Sequence, residues 1–321
     1  MKEFPLHFPP TQTNGVMPLW KNGVFSIGDK QVSVLEYSSN LAGWNDELTT
    51  FHEDNAGDNH FIDSASRQHA ISQINRYVAG TVDHSDSYDP QGVVAHKMNN
   101  QEPLVKNPVI MEIGCSSGHL LDMLNKQMPN ATLIGADIVS APLIKLAEKH
   151  PNIPMLRFDL LNCPLPDNSV DAVILLNVLE HIEDDTAALQ QIKRILKPGG
   201  IAIIEVPAGP HLYDLYDKAL LHFRRYLLSG LKKKVTELDF KIIKKSHLGF
   251  FIYPGFWLVK QRNKRMSQET HEKQKQIVEN HIRDTGGKKF LHRLMKIELF
   301  LGNWINYPTG IRCLLTCVKK G

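Results

Sequence analysis

Short β-branched segments alternate with amphipathic segments between about residues 108 and 248, and this alternation constrains the fold more than any other feature of the chain. Runs of β-branched and aliphatic residues predict strands at VIMEI, TLIGA, PMLRF, VDAVILL, GIAIIEV and FKIIKKS. Apolar residues at helical spacing predict helices between them, at HLLDMLNKQM, PLIKLAEKH and TAALQQIKRIL. Strict alternation of strand and helix is typical of βαβ units. The sequence therefore predicts an α/β core with a doubly wound, mostly parallel sheet over residues 108–248.

Two regions with a different residue composition and pattern flank this core. Residues 1–107 mix short apolar runs with polar turns and contain one helical pattern, from Asn59 to Ala79. Residues 249–309 are rich in lysine, arginine and aromatic residues, and residues 310–321 contain a strand-like run. We expect the first region to form a lid or substrate region, the second a helical and aromatic insertion, and the last the final strand of the core sheet.

The composition is that of an ordinary globular protein, with 42% hydrophobic and 22% charged residues. The 37 basic and 34 acidic side chains nearly balance, which argues against nucleic acid as a partner. The four cysteines form no CxxC pair, so we expect reduced thiols. No secretory pattern opens the chain, and no apolar stretch approaches the roughly 20 residues of a membrane span. We therefore expect a cytoplasmic protein, with peripheral attachment to a membrane as an alternative.

A glycine turn follows the first core strand and directly precedes a helix. Gly114 and Gly118 allow a sharp turn and a close approach of backbone to a ligand, and the helix beyond them offers free N–H groups. The spacing is G-x-x-x-G, unlike the G-x-G-x-x-G of dinucleotide enzymes. The turn therefore predicts a nucleoside-like cofactor without a pyrophosphate.

Carboxylates end the next two strands. Asp137 follows the glycines by about twenty residues, where a carboxylate can accept hydrogen bonds from both hydroxyls of a ribose. Asp159 ends the third strand, where it is well placed for an adenine amino group. Because the carboxyl ends of parallel strands meet at one edge of a sheet, these groups predict a single nucleoside site.

Together, EIGCSSG, Asp137, Asp159, LEH and LKPGG resemble the motifs of the class I S-adenosylmethionine-dependent methyltransferases. The resemblance implies a seven-stranded sheet with an antiparallel last strand and S-adenosylmethionine as cofactor. It implies an O- or N-methyltransferase acting on a small metabolite, a natural-product intermediate or a lipid-linked sugar. It assigns cofactor contacts to nine residues: Glu112, Gly114, Cys115, Gly118, Asp137, Ile138, Asp159, Leu160 and Asn177.

Three residues are candidates for the chemistry. Glu180 and His181 follow the fourth strand at the carboxyl edge of the sheet, and His222 comes after the fifth strand. A histidine here can deprotonate a hydroxyl or amine, or it can simply pack at the strand-to-helix turn. As an alternative, the three side chains could hold a divalent metal, as in relatives with an E-x-x-E-H run. Asn177 replaces the first glutamate of that run, so no metal is predicted.

Substrate contacts are predicted on both sides of the core. The run from His222 to Tyr226 resembles an H-x-R-R-Y signature of methyltransferases that act on lipids, sugars and related metabolites. Arg224, Arg225 and Tyr226 are therefore substrate candidates. The two arginines would clamp an anionic group; the alternative is a structural hinge in which an arginine pairs with an acidic side chain.

On the N-terminal side, HFIDSASR is a degraded form of an H-F-W-F-x-x-R helix that closes over the cofactor in related enzymes. Phe61 and Arg67 are candidates on that basis, with surface packing as the alternative. Tyr37 and Trp44 are lid or pocket candidates with less support.

The insertion is long enough that we expect it to be functional. Its apolar and aromatic residues stand beside Lys260, Arg262, Lys264 and Arg265, a combination that suits an anionic membrane surface or a pocket for a lipid-linked acceptor. Packing on the core and a homo-oligomer interface are the alternatives. Two other functions stay open: a cofactor-binding subunit without turnover, and an NAD-dependent oxidoreductase, which the glycine spacing disfavours.

Overall fold

The computed structural model describes residues 4–11, 15–37, 60–80, 105–266 and 289–321. Within these residues the chain forms a small antiparallel sheet and one large sheet. The strands, in chain order, are β1 (Leu19–Lys21), β2 (Val24–Ile27), β3 (Lys30–Val32), β4 (Val34–Glu36), β5 (Val109–Ile113), β6 (Thr132–Asp137), β7 (Met155–Arg157), β8 (Val170–Leu176), β9 (Leu196–Pro207), β10 (Phe240–Leu248) and β11 (Arg312–Lys319).

The large sheet has the strand order β10-β11-β9-β8-β5-β6-β7-β4. Its strands are parallel from β9 to β4, and β11 runs antiparallel to both of its neighbours. The predicted mostly parallel sheet with an antiparallel last strand is confirmed. The sheet has eight strands instead of seven because β4, from the N-terminal region, pairs with β7 at the edge.

The helices, in chain order, are α1 (Phe61–Ile74), α2 (His119–Gln127), α3 (Ser140–Lys149), α4 (Asp185–Ile195), α5 (Leu215–Ala219), α6 (Leu228–Glu237), α7 (Tyr253–Met266) and α8 (Lys289–Leu301). Local chemistry sets their ends. The Asp184 carboxylate, for example, accepts the Ala187 N–H at 2.9 Å and so caps α4. One face of α4 is buried through Leu189 and Ile192, at the spacing that the sequence pattern predicts.

Apolar layers cover both faces of the large sheet. Met111 and Val173 point into one layer, whereas their chain neighbours Ile110 and Ala172 point into the other. Parallel strands buried on both faces read as continuous apolar runs, as β5 and β8 do. The four cysteines are buried thiols, in agreement with the sequence.

The lid region and the insertion meet in a third apolar cluster. Phe61 of α1, Met295 of α8 and Leu314 of β11 belong to it, and Phe256 of α7 packs against it. The two flanking regions therefore pack together on the carboxyl side of the sheet. Among the residues that the structure describes, no helix has the length and apolarity needed to cross a membrane.

Candidate active site

A cavity of about 930 Å³ lies at the carboxyl ends of the parallel strands, at the upper end of the roughly 300–1,000 Å³ typical of small-molecule sites. It has two parts. The glycine-turn half is lined from residues 112–120, 136–138, 158–160 and 176–178. The helix-walled half is lined by residues of α1, α5, α7 and α8, together with residues 180–182, His222, Arg225, Ile311 and Arg312.

The glycines are required by the backbone and by close packing. Gly114 has φ of +74°, and a Cβ there would lie 2.5 Å from Cγ2 of Val178. Gly118 has φ of +73°, and a Cβ there would overlap the Leu146 side chain. The amide of Gly114 donates to the carbonyl of Ala136 at 2.8 Å, which ties the turn to the end of β6. A side chain at either position would both strain the backbone and displace a neighbour.

The backbone fixes the two strand-end carboxylates. Asp137 accepts the Ser116 N–H at 2.9 Å and the Val139 N–H at 3.0 Å, so the glycine turn and the end of β6 form one unit. Asp159 accepts the Leu161 N–H at 2.9 Å. Each carboxylate oxygen can accept more than one hydrogen bond, so both groups keep capacity for a ligand.

All nine predicted cofactor residues line the glycine-turn half. Among them, Glu112 is buried, and its Oε2 has no hydrogen-bond partner among the described residues. Burial raises the pKa of Glu112 well above its usual value, although the nearby Arg67 opposes this shift. A buried carboxyl with an unused oxygen is costly unless a ligand supplies a donor. Asn177 follows the end of β8 with φ of +56°, and it also lines this half.

The predicted catalytic residues lie together at the junction of the two halves. The rings of His181 and His222 are 4.7 Å apart, and one ligand atom from each of Glu180, His181 and His222 lies within 4.8 Å of the others. Glu180 is fully buried and neither carboxyl oxygen has a hydrogen-bond partner among the described residues. Burial raises its pKa to about 8, so the carboxyl is mainly protonated at neutral pH. These distances would also accommodate one metal ion.

Asp217 contacts His222 and was not identified from the sequence. Nδ1 of His222 lies 2.9 Å from Oδ1 of Asp217. Burial opposes ionisation of Asp217, but the hydrogen bond with His222 and the charges of Arg225 and Lys260 hold the pKa of this carboxyl well below its usual range. Burial lowers the pKa of His222, with partial compensation from Asp217. A neutral imidazole that donates from Nδ1 to a carboxylate keeps a lone pair on Nε2.

Lys260 is buried in the protein and is not on the surface, where the sequence analysis placed it. It was a candidate for a membrane surface, yet it is only 3% exposed. Its Nζ lies 2.7 Å from Asp214 and 2.9 Å from Asp217. The long side chain reaches inward from α7 because two carboxylates at the start of α5 offset the cost of burying its charge.

The two arginines of the H-x-R-R-Y run both pair with acidic side chains. Arg225 contacts Asp217 at 2.8 Å and the carbonyls of Ala208 and Ile311, so all three of its nitrogens are engaged. Arg224 contacts Asp185 at 3.2 Å and lies outside the cavity lining. The expected clamp on an anionic group is therefore absent from this geometry, because folding already uses these donors.

Tyr226 also lies outside the cavity lining. Its hydroxyl contacts the carboxylate of Asp185 at 2.9 Å and the carbonyl of Leu179 at 3.1 Å. These bonds hold the start of α4 against the segment that carries Glu180 and His181. The predicted contact of Tyr226 with substrate is not supported by this position.

A second buried ion cluster lines the far wall of the helix-walled half. Arg312 contacts Glu205 at 2.7 Å, Asp63 and the hydroxyl of Ser66. The cluster joins α1 to β9 and β11, and it places Phe61 and Arg67 in the cavity lining. Of the weaker lid candidates, Tyr37 donates to the carbonyl of Pro9 away from the cavity, and Trp44 lies outside the described residues.

Comparison with known proteins places residues 111–204 in a family model described as a methyltransferase domain. Over 98 residues the chain is 30% identical to a probable S-adenosylmethionine-dependent methyltransferase of Mycolicibacterium smegmatis, a match that covers 30% of this chain and 37% of that protein. Over 132 residues it is 30% identical to the demethylmenaquinone methyltransferase of Thermus thermophilus, covering 38% and 60%. The chain thus spans about three-fifths or less of the length of these relatives.

Solved structures share the fold at low sequence identity. The phosphoethanolamine N-methyltransferase 2 of Haemonchus contortus, in complex with S-adenosyl-L-methionine, has a TM-score of 0.50 and 16% identity, with 85% of this chain and 57% of that chain covered. The [4+2]-cyclase SpnF also has a TM-score of 0.50, with 14% identity and coverage of 85% and 91%. Since a cyclase shares the fold, the activity must be argued from the site.

Proposed function

We propose that this chain, which belongs to the class I S-adenosylmethionine-dependent methyltransferases, transfers a methyl group to an oxygen or nitrogen atom of an acceptor in the helix-walled half. The observation that carries the proposal is the pairing of His222 with Asp217 beside the glycine-turn half. It supplies a neutral base where the two halves of the cavity meet.

The glycine-turn half fits S-adenosylmethionine. The unused, buried oxygen of Glu112 suits the ammonium group of the methionine part. Asp137 can accept hydrogen bonds from both ribose hydroxyls, and Asp159 can accept one from the adenine amino group. A Cβ at Gly114 would displace the side chain of Val178, which also lines this half. The glycine turn has the spacing G-x-x-x-G. Dinucleotide enzymes hold a pyrophosphate with G-x-G-x-x-G, so this spacing argues against NAD.

When bound, S-adenosylmethionine supplies an activated methyl group, so the protein has to position the acceptor and remove its proton. Nε2 of His222 accepts that proton. Asp217 holds the ring through Nδ1 and stabilises the imidazolium that forms, at a distance of 2.9 Å. Glu180, protonated at neutral pH, can donate a hydrogen bond to the acceptor.

The test combines binding with turnover. Asp137→Ala should weaken the binding of S-adenosylmethionine by about a hundredfold or more, because it removes hydrogen bonds to a charged group. Calorimetry measures this, with Glu148→Ala on the exposed face of α3 as a matched control and thermal melts as a check of folding. Wild-type affinity in Asp137→Ala would contradict the assigned site.

Turnover is measured as the amount of S-adenosylhomocysteine that the wild type releases when it is incubated with fractionated cell extract. Release that depends on both extract and Asp137 supports a methyltransferase. Binding of S-adenosylmethionine without release from any fraction would favour the alternative, a cofactor-binding subunit without turnover. Metal use is tested in the same assay with a chelator, and we expect no loss of activity because His222 acts as a neutral base.

A further inference from the structure

The two helices that wall the cavity also carry an exposed apolar surface. On α8, Phe290, Ile297 and Phe300 are exposed at helical spacing, and Trp304 continues the stripe in the turn that follows. Phe290 is 71% exposed, and the rings of Phe300 and Trp304 contact each other at 4.7 Å. On α7, Trp257 and Leu258 are exposed as well. We call these six side chains the outer face of α7 and α8.

Exposed basic residues, here called the basic rim, stand on the same helices as the outer face. Arg262, Lys289 and Arg293 are exposed on the same two helices. The sequences of α7 and α8 contain one acidic residue, Glu298. Its carboxylate is buried and accepts the N–H groups of residues 249–251, so it does not offset the surface charge. An apolar face with aromatic side chains and a basic rim is complementary to an anionic bilayer surface.

The same helices line the cavity with their opposite sides. Phe256 and Val259 of α7, Ile252 just before it and Leu291 of α8 form an apolar wall of the helix-walled half. These side chains favour an acceptor that has apolar groups.

Three cations that line the described part of this half are already paired with carboxylates, and a fourth, Arg67 of α1, acts on the buried carboxyl of Glu112. Lys260 and Arg225 are engaged by Asp214 and Asp217, and Arg312 is engaged by Glu205 and Asp63. A phosphate or carboxylate would have to displace a buried ion pair, which is costly. An uncharged acceptor with a hydroxyl or amine near His222 meets no such cost.

We propose that the outer face of α7 and α8 docks on an anionic lipid bilayer, and that the helix-walled half takes an uncharged, largely apolar acceptor from that bilayer. The acceptor part of this inference rests on the proposed methyl transfer. The docking part stands on the exposed apolar residues and their basic rim.

Co-sedimentation with vesicles tests the docking. The full chain is mixed with vesicles of phosphatidylcholine and phosphatidylglycerol in equal amounts, or of phosphatidylcholine alone. We expect binding to the anionic vesicles and weaker binding to the neutral ones. Phe290→Ser combined with Phe300→Ser should lower the partition coefficient by about tenfold or more, because both aromatic side chains lose their burial in the bilayer.

A matched control removes exposed apolar residues elsewhere. Met17→Ser combined with Leu19→Ser changes side chains of similar exposure at β1, in the small antiparallel sheet, and should leave the partition coefficient unchanged. Arg293→Gln should reduce binding to anionic vesicles by about fivefold and leave binding to neutral vesicles unchanged. Failure of the wild type to bind anionic vesicles, or equal binding by the Phe290 and Phe300 double variant, would overturn the proposal.

Sedimentation equilibrium without vesicles tests the rival occupant, a second copy of the chain. A wild-type dimer that becomes monomeric in the Phe290 and Phe300 double variant would assign the outer face to an oligomer interface and overturn the proposal. A monomeric wild type that binds vesicles supports it.

The acceptor is tested with methyl-labelled S-adenosylmethionine and cell extract, followed by partition between organic and aqueous solvent. Label in the organic phase supports an apolar acceptor, and label confined to water-soluble products overturns that part. Calorimetry separates the two proposals. A wild type that binds vesicles but not S-adenosylmethionine contradicts the methyl transfer and leaves the docking intact, whereas docking variants should bind S-adenosylmethionine as the wild type does.

Discussion

The two halves of the cavity are built in different ways. The glycine-turn half comes from successive strand ends between Glu112 and Val178, each placed by the βαβ repeat. The helix-walled half combines α1, the segment around α5, α7, α8 and the start of β11, which are distant in sequence. The first half is specified by local turns at the edge of a regular sheet, and the second by buried ion pairs between elements. Variants in one half should therefore leave the other unchanged.

His222→Gln should give the largest effect confined to the helix-walled half. Loss of a general base costs about a hundredfold to ten-thousandfold in kcat/KM. The affinity for S-adenosylmethionine should not change, because the cofactor contacts lie in the glycine-turn half. Steady-state kinetics and calorimetry check the two statements, with His211→Gln, an exposed histidine, as the control. A comparable loss of cofactor affinity would break the separation between the halves.

Asp217→Asn should have a smaller effect, because a positioning residue contributes less than the base that it orients. We expect kcat/KM to fall on the order of tenfold to a hundredfold. The carboxylate of Asp217 raises the pKa of His222 against the effect of burial, so its removal should move the acidic limb of the pH profile to lower pH. A purely structural role would lower activity without moving that limb. Thermal melts show whether the variant folds, since Arg225 and Lys260 lose a partner.

Glu180→Gln should produce the smallest effect, seen in the pH dependence of stability. The carboxyl ionises near 4.5 in its ordinary state and near 8 in the folded protein. Between these values the folded state binds more protons than the unfolded state, so stability falls as pH rises through this window. Glutamine does not titrate.

The drop in Tm between pH 5 and pH 8 should therefore be smaller in Glu180→Gln than in the wild type. Glu183→Gln, at an exposed position three residues away, should behave like the wild type. Equal drops in all three proteins would show that Glu180 does not carry the predicted protonation change.

The fold was largely predictable from the sequence. The predicted strands VIMEI and VDAVILL coincide with β5 and β8, and the other core strands and helices differ by a few residues at their ends. The eighth strand was not predicted. β4 contains three residues, and its pairing with β7 depends on an approach across more than a hundred residues of chain.

The helix-walled half was predicted only in part. Phe61, Arg67 and His222 were identified through a resemblance, whereas Asp217 and Arg312 were not. The spacing of Asp214 and Asp217, with the second aspartate three residues after the first, is a detectable helix-start signal, and the structure shows a capping box there. No sequence signal indicated that Lys260, Arg225 and His222 would converge on those carboxylates.

By itself, the sequence determined the strand-and-helix core and the cofactor edge, because periodicity and turn chemistry act over a few residues. The tertiary structure decided which charged side chains are free and which are neutralised. Lys260 and Arg225 read as available cations in the sequence, yet both are buried against Asp217. Burial of a charge depends on partners brought from other elements, and only the packed fold supplies them.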